Sequence, residues 1–151
     1  MSAEEELIVY RSSMRIPYRW AAGMTATRFY RELAEHQRLL GTRCEGCSRV
    51  LFPARQNCSR CFKATEDWVE VGPAGTITAF TVAHYQVAML SPTDTPVIYA
   101  LIRLDGADTA FIHRLKELDM DVLKIGLRVT AVFAEQKTGQ ILDISHFKPL
   151  L

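Results

Sequence analysis

Cys44-Glu45-Gly46-Cys47 and Cys58-Ser59-Arg60-Cys61 hold every cysteine of the chain, and ten residues separate the two pairs. A C-x-x-C turn aims two sulfurs and nearby backbone N–H groups at one point. A loop of ten residues can return a second turn opposite the first, which is the arrangement a tetrahedral thiolate site needs. Disulfides are the competing use of four thiols, but nothing marks the chain for secretion, and a cytoplasmic chain keeps its thiols reduced. A thioredoxin-like pair occurs singly and beside a βαβ pattern, and neither condition holds here. The metal expected at Cys44, Cys47, Cys58 and Cys61 is zinc. Sulfur ligands alone do not separate it from rubredoxin-type iron, and structural zinc ribbons are the commoner use. Four protein ligands leave no position for water, so the expected role is to stabilise folding rather than to act as a Lewis acid. Asn57-Cys58-Ser59 also matches a glycosylation sequon, a reading set aside because Cys58 serves as a ligand.

Before the ribbon, Ile16-Pro17-Tyr18-Arg19-Trp20 reads as an extended aromatic arm, able to pack on this domain or to reach a partner. A helix is predicted over Thr25–Leu40. Phe29, Leu33 and Leu40 share one face, Thr25 or Thr27 caps the start and Gly41 ends it. After Cys61 the pattern becomes β. Trp68–Val71 is a short strand closed by Gly72-Pro73-Ala74-Gly75. Thr76–Val87 changes the parity of its apolar residues after Ala79, as a bent strand serving two parts of a sheet would. Ser91–Pro96 reads as a loop, Val97–Leu104 as a strand buried on both sides, and Thr109–His113 as a short strand. Leu115–Leu123 holds a helical turn, and Arg128–Glu135 and Ile141–Phe147 follow as strands joined through Lys137-Thr138-Gly139. From Thr76 onward, three strands, a helical crossing and two more strands give the order of a five-stranded OB-fold barrel. The fold class is therefore mainly β with an N-terminal helix. It divides into an arm and helix over 1–41, a rubredoxin-like zinc ribbon over 42–64 and an OB-fold domain over 65–151.

Composition fits that reading. The chain has 151 residues, 48% hydrophobic and 23% charged, which is ordinary globular usage. Its longest apolar run, Val97–Ile102, is far short of the ~20 residues a membrane span requires. Met1–Glu6 is acidic and lacks a secretory pattern, so a cytoplasmic location is expected. The net charge of +1 conceals a split: residues 1–63 carry +5 and residues 64–151 carry −4. The basic half faces an anionic ligand or an acidic partner surface, unless its arginines only solvate it.

In ordered combination these motifs resemble the DUF35-type family, zinc-ribbon plus OB-fold proteins associated with acyl-CoA enzymes. The resemblance runs through Ile16–Gly23, the Phe29–Gly41 segment, Gly41-Thr42-Arg43-Cys44 and Phe52-Pro53-Ala54-Arg55. It continues through Trp68–Gly72, Phe80-Thr81-Val82, Leu104–Asp108, Lys124–Val129 and Phe147-Lys148-Pro149. Ser48 and Phe62 depart from it, because ribbon knuckles often carry glycine at these positions. The resemblance implies an accessory subunit that acts in a hetero-oligomer. The thiolase-like partner carries the nucleophilic cysteine and the acid–base histidine, and an acyl-CoA thioester is the substrate of the complex. Settings of the family include benzoylsuccinyl-CoA thiolysis in anaerobic toluene degradation, archaeal acetoacetyl-CoA and hydroxymethylglutaryl-CoA synthesis, acyl-phloroglucinol formation and steroid side-chain cleavage.

The chain's own catalytic inventory is thin. Its thiols serve the metal, His36, His84, His113 and His146 stand singly, and no G-x-S-x-G elbow, phosphate loop or H-E-x-x-H pair occurs. No catalytic residue is therefore assigned. Coenzyme A ends in an ADP with a 3′-phosphate, which calls for guanidinium groups and an aromatic ring. Arg19, Trp20, Arg43, Arg49, Arg55, Arg60 and Lys63 are the candidate contacts, and an acidic stretch of the partner would use the same residues. The alternative function is single-stranded nucleic-acid binding, which OB-folds and zinc ribbons both perform. It needs a positive groove on the barrel, and here the barrel half is the acidic one. Electron transfer through ribbon iron is a third reading.

Overall fold

The computed structural model describes residues 8–84 and 96–150. Helix α1 (Met24–His36) buries Phe29 and Leu33 along one stripe. It begins at Gly23 without a side-chain cap. Thr27 Oγ1 instead donates back to the Gly23 carbonyl at 2.7 Å. The helix ends at Gln37, whose left-handed backbone brings the Gln37 and Arg38 N–H groups to the Leu33 and Glu32 carbonyls. This corrects the expected helix over 25–40 with its threonine cap and its stop at Gly41. Leu39 and Leu40 are buried, but they belong to strand β1 (Leu39–Arg43). Gly41 lies within β1, where a Cβ would sit 2.8 Å from the Leu51 carbonyl oxygen. Its value is close packing rather than helix termination.

Strand β1 is the centre of a three-stranded antiparallel sheet, with β2 (Val50–Leu51) on one side and β3 (Asp67–Val71) on the other. The remaining strands close a barrel: β4 (Ala74–Ala83), β5 (Val97–Leu104), β6 (Ala110–Leu115), β7 (Arg128–Phe133) and β8 (Ile144–Pro149). Their order around it is β4-β5-β6-β8-β7, with a short 3-10 turn at Met120–Val122 between β6 and β7. The expected five-stranded OB barrel after a zinc ribbon is therefore the observed architecture.

The bend expected in β4 is a β-bulge between Ile77 and Ala79, before Ala79 rather than after it, so these two residues do not share a face. The strand pairs with β7 over Ala74–Thr76 and with β5 over Gly75–Ala83. Closing a barrel requires one strand to serve two neighbours in this way. At the crossing, a Cβ on Gly75 would lie 2.6 Å from the Arg103 carbonyl oxygen. Strand β5 is not buried on both sides, as its run of apolar residues suggests. Ile98, Ala100, Ile102 and Leu104 face the core, whereas Leu101 and Arg103 are exposed, because no element among the described residues covers the outer face of the barrel there. Ile141–Asp143 forms a 3-10 turn, so the last strand starts at Ile144 rather than at Ile141. Most of the Ser91–Pro96 loop and the far end of Thr76–Val87 lie outside the described residues.

Ribbon and barrel share one core. Phe29 of α1 meets Phe52 of the ribbon edge to face at 5.8 Å. Phe52 meets Phe111 of β6 at 4.8 Å, and Phe111 meets Phe147 of β8 at 5.7 Å. The segment before β6 also stitches to β2. Asp108 Oδ2 accepts the Val50 N–H at 2.8 Å, Asp108 N–H donates to the Val50 carbonyl, and Thr109 Oγ1 exchanges two bonds with Phe52. These contacts satisfy a two-residue edge strand that would otherwise be open. No helix among the described residues is long and apolar enough to cross a membrane.

Candidate metal centre and the surface around it

The two knuckles are built alike. In the first, Cys44 N–H donates to the Arg49 carbonyl and Ser48 N–H returns to the Cys44 carbonyl. In the second, Cys58 N–H donates to the Lys63 carbonyl and Phe62 N–H returns to the Cys58 carbonyl. Each turn also aims one N–H at its first sulfur, Gly46 at Cys44 Sγ (3.3 Å) and Arg60 at Cys58 Sγ (3.4 Å). To close, the turn must pass through the left-handed region just after its second cysteine. Ser48 and Phe62 do so with φ of 57° and 58°. This conformation is why glycine is the usual residue there.

All four sulfurs lie within 4.8 Å of one another, with Cys44 and Cys61 3.2 Å apart and Cys47 and Cys58 3.7 Å apart. A tetrahedron with ~2.3 Å zinc–sulfur bonds has sulfur–sulfur edges of about 3.8 Å, so the set closes around one zinc with small adjustments. Cys44 and Cys58 are buried, and Cys47 and Cys61 are half-buried against Leu51. The Arg60 N–H, followed by the Cys61 N–H, pulls the Cys58 thiol down to about 6, whereas sharing its proton with Cys44 pushes Cys61 up to about 12. Burial raises Cys44, but hydrogen bonds from Cys61, Cys47 and Gly46 outweigh it and lower the thiol. The first thiol of each knuckle is thus the one whose proton is held less tightly, and a divalent ion would displace the protons of the set on binding. A zinc ribbon domain with its four cysteines this close supports a structural zinc ion.

The candidate basic residues have different surroundings. Arg43 Nε donates to Asp67 Oδ2 at 3.1 Å and its Nη1 reaches the Ser48 carbonyl. Arg49 Nη2 donates to the Asp108 carbonyl at 3.0 Å, which adds to the ribbon–barrel stitch. Arg55 has an exposed side chain. Its backbone is held by Thr42 and by the Thr65 hydroxyl, which donates to its carbonyl. Arg60 and Lys63 are exposed on the second knuckle, while Arg19 and Trp20 are exposed on the arm. The bonding roles of Thr42, Asp108 and Thr109 were not legible in the sequence, although the motifs and strands read there include all three. Their partners lie 13 to 59 residues away, beyond any local pattern.

The histidines occupy unrelated environments. His36 lies 3.4 Å from Glu32 on the exposed side of α1, and His84 is exposed. His146 Nε2 lies 2.7 Å from Glu117 Oε1. His113 is buried inside the barrel between Phe111 and Phe147, and neither ring nitrogen has a hydrogen-bond partner among the described residues.

Residues 31–66 match the ChsH2 rubredoxin-like zinc ribbon domain, and residues 68–134 match the ChsH2 C-terminal OB-fold domain. A protein of Methanocaldococcus jannaschii described as a DUF35 domain-containing scaffold protein is 28% identical over 132 residues, covering 82% of this chain and 89% of its own length. A protein of the same description from Methanothermobacter thermautotrophicus is 29% identical over 138 residues, covering 83% of this chain and 98% of its own. In fold, the chain is similar to a chain of the Ltp2-ChsH2(DUF35) aldolase, with a TM-score of 0.59 and 24% identity over 86% of this chain and 98% of that one. It is also similar to a DUF35 protein of unknown function from Sulfolobus solfataricus, with a TM-score of 0.60 and 21% identity over 84% of each chain. With ribbon and barrel both matched and in that order, the chain belongs to the ChsH2 (DUF35) family of zinc-ribbon and OB-fold proteins.

Proposed function

We propose that this chain is a non-catalytic scaffold subunit of a thiolase-like acyl-CoA enzyme that makes or breaks carbon–carbon bonds, benzoylsuccinyl-CoA thiolysis being one such reaction. The carrying observation is the closed set of four thiols on a family ribbon. Every position of a tetrahedral ion would be filled by protein, which suits a folding role and leaves the chemistry to another chain. The description of the archaeal relatives as scaffold proteins and the similar fold in an aldolase named with two components support the same reading. Reduced thiols suit a reducing compartment such as the cytoplasm.

The reading extends to coenzyme A. Arg55, Arg60 and Lys63 lie within or next to the second knuckle in sequence and are exposed, and among the described residues none of them is in an ion pair. They are suited to phosphates at the mouth of the partner's pocket. Arg43 and Arg49 are engaged within the body, and Arg19 and Trp20 sit on the arm. Single-strand binding is disfavoured by the −4 charge of residues 64–151.

Co-expression with thiolase-fold chains from the same source tests the proposal. The expected result is one stoichiometric complex that turns over acyl-CoA, one zinc per copy of this chain and no turnover by this chain alone. Turnover by the isolated chain, or no complex with any such chain, overturns it.

A further inference from the structure

The segment before α1 alternates strictly. Met14, Ile16, Tyr18 and Trp20 fall on one parity, and Arg15, Pro17 and Arg19 on the other. A strand places alternate side chains on opposite faces, so an extended Met14–Trp20 has one wholly apolar face about 20 Å long. In the structure this segment belongs to no helix and pairs with no strand among the described residues, and its apolar side chains are between 67% and 84% exposed. Four large apolar side chains in strand register, uncovered by their own body, form an interaction surface.

We infer that Met14–Trp20 docks as an added edge strand on a sheet of a different protein chain, one with apolar pockets along that edge and carboxylates at its rim. Residues of one parity direct both N–H and C=O to the same side of a strand. Pro17, which lacks an N–H, belongs to the parity of Arg15 and Arg19, so the N–H row of Met14, Ile16, Tyr18 and Trp20 is complete. One side of the arm can therefore pair with a sheet, while Pro17 interrupts the other side and blocks a further strand. This is β-augmentation, with backbone bonds giving affinity and alternate pockets giving specificity.

Charge selects the partner. No acidic residue occurs from residue 7 to residue 31, while Arg11, Arg15 and Arg19 recur every four residues. None of the three is in an ion pair among the described residues. A second copy of this chain is a poor host. Its barrel is closed, and β2 has only two residues. Beside the edge strand β3, Asp67 and Glu70 are already paired with Arg43 and Arg38. The host is thus a different chain, and the inference rests on the scaffold reading above.

The probe is the thiolase-fold chain that co-purifies with the full-length protein, titrated with purified full-length variants of unchanged zinc content and circular dichroism. Trp20→Ala and Tyr18→Ala are each expected to weaken binding at least ~30-fold, as buried aromatic anchors do. Arg15→Glu with Arg19→Glu should slow association and reduce its salt dependence. Two proline pairs separate strand pairing from simple burial. Trp20→Pro should bind at least ~10-fold more weakly than Trp20→Ala, because it also removes a pairing N–H, whereas Arg19→Pro should match Arg19→Ala. Arm variants that bind like the parent overturn the inference and leave the scaffold reading intact. Failure of the parent to bind any thiolase-fold chain overturns both. Dimerisation of the isolated chain, or binding to anionic lipid vesicles, that is lost with Trp20→Ala assigns the arm another occupant and also overturns the inference.

Discussion

Phe52→Ala tests whether ribbon and barrel are one cooperative body. Phe52 is fully buried and stands edge to face between Phe29, 5.8 Å away on α1, and Phe111, 4.8 Å away on β6. Removing the ring forfeits ~1.5–3 kcal/mol of apolar burial. It also forfeits two aromatic contacts of ~0.5–1.5 kcal/mol each. The total of about 4 kcal/mol agrees with the ~3–5 kcal/mol usual for Phe→Ala in cores that cannot collapse. Collapse is resisted here because the neighbours belong to the helix, the ribbon and the barrel, each anchored by its own hydrogen bonds. With a urea dependence of about 2 kcal/mol per molar, the midpoint should fall by ~2 M. Trp68 fluorescence in a Trp20→Phe background reports the ribbon sheet, and hydrogen exchange at Ile102 and Phe111 reports the barrel. Both should shift together. Barrel amides that keep their protection while the Trp68 transition moves would refute the single-body argument, as would a loss below 1 kcal/mol.

Three further outcomes follow from the structure. Cys58→Ser should abolish stoichiometric zinc, measured by elemental analysis, and unfold the ribbon, since structural zinc provides ~10–16 kcal/mol of apparent binding energy in comparable modules. The closed set of four sulfurs offers no spare ligand. His113 should make the fold acid-sensitive: burial pushes its pKa down, so the unfolded chain takes up the proton first. Its contribution is complete above the unfolded value of about 6.5 and is lost as pH falls toward the lower folded value, with a slope of at most ~1.4 kcal/mol per pH unit. His113→Phe should flatten denaturation midpoints between pH 7 and pH 5, and an unchanged slope rules His113 out as the source. Phe62→Gly should raise the melting temperature of the zinc-loaded chain slightly. Relief of a left-handed phenylalanine gains ~1–2 kcal/mol, and glycine's greater unfolded entropy takes back ~0.5–1. A lower melting temperature would show that the exposed ring stabilises the knuckle.

The ribbon was legible because its information is local: two cysteine turns state both the ligands and the closure between them. The barrel order was legible from turn residues, and the bend of β4 from the parity of Ile77 against Phe80 and Val82, but not its place, because the bulge precedes Ala79 and sets it opposite the exposed Leu101. The helix end was not. Leu39 and Leu40 continue an apolar pattern that suits the helix face and the strand equally, and the stop is a glutamine in a left-handed turn that no residue type announces. The outer face of β5 was misread because its apolar residues Tyr99 and Leu101 look the same in sequence as its buried ones. The Asp108 and Thr109 stitch joins positions 57 to 59 residues apart, a relation that appears only once both sheets exist.

The distribution of apolar surface connects these features to the proposed role. A ribbon attached by a linker would lose its orientation at each end of the linker. Here a ladder of four phenylalanines and an edge strand bonded to the barrel fix that orientation. A bound ion would therefore stabilise more than its own turns. It would tie together the ends of β1 and β2, and through Phe52 the core they share reaches Phe111 and Phe147 inside the barrel. Arm and body should then respond to different insults. Removing the ion weakens the platform throughout, whereas replacing Tyr18 or Trp20 leaves the platform intact and changes only what it can hold, because neither side chain is buried against it.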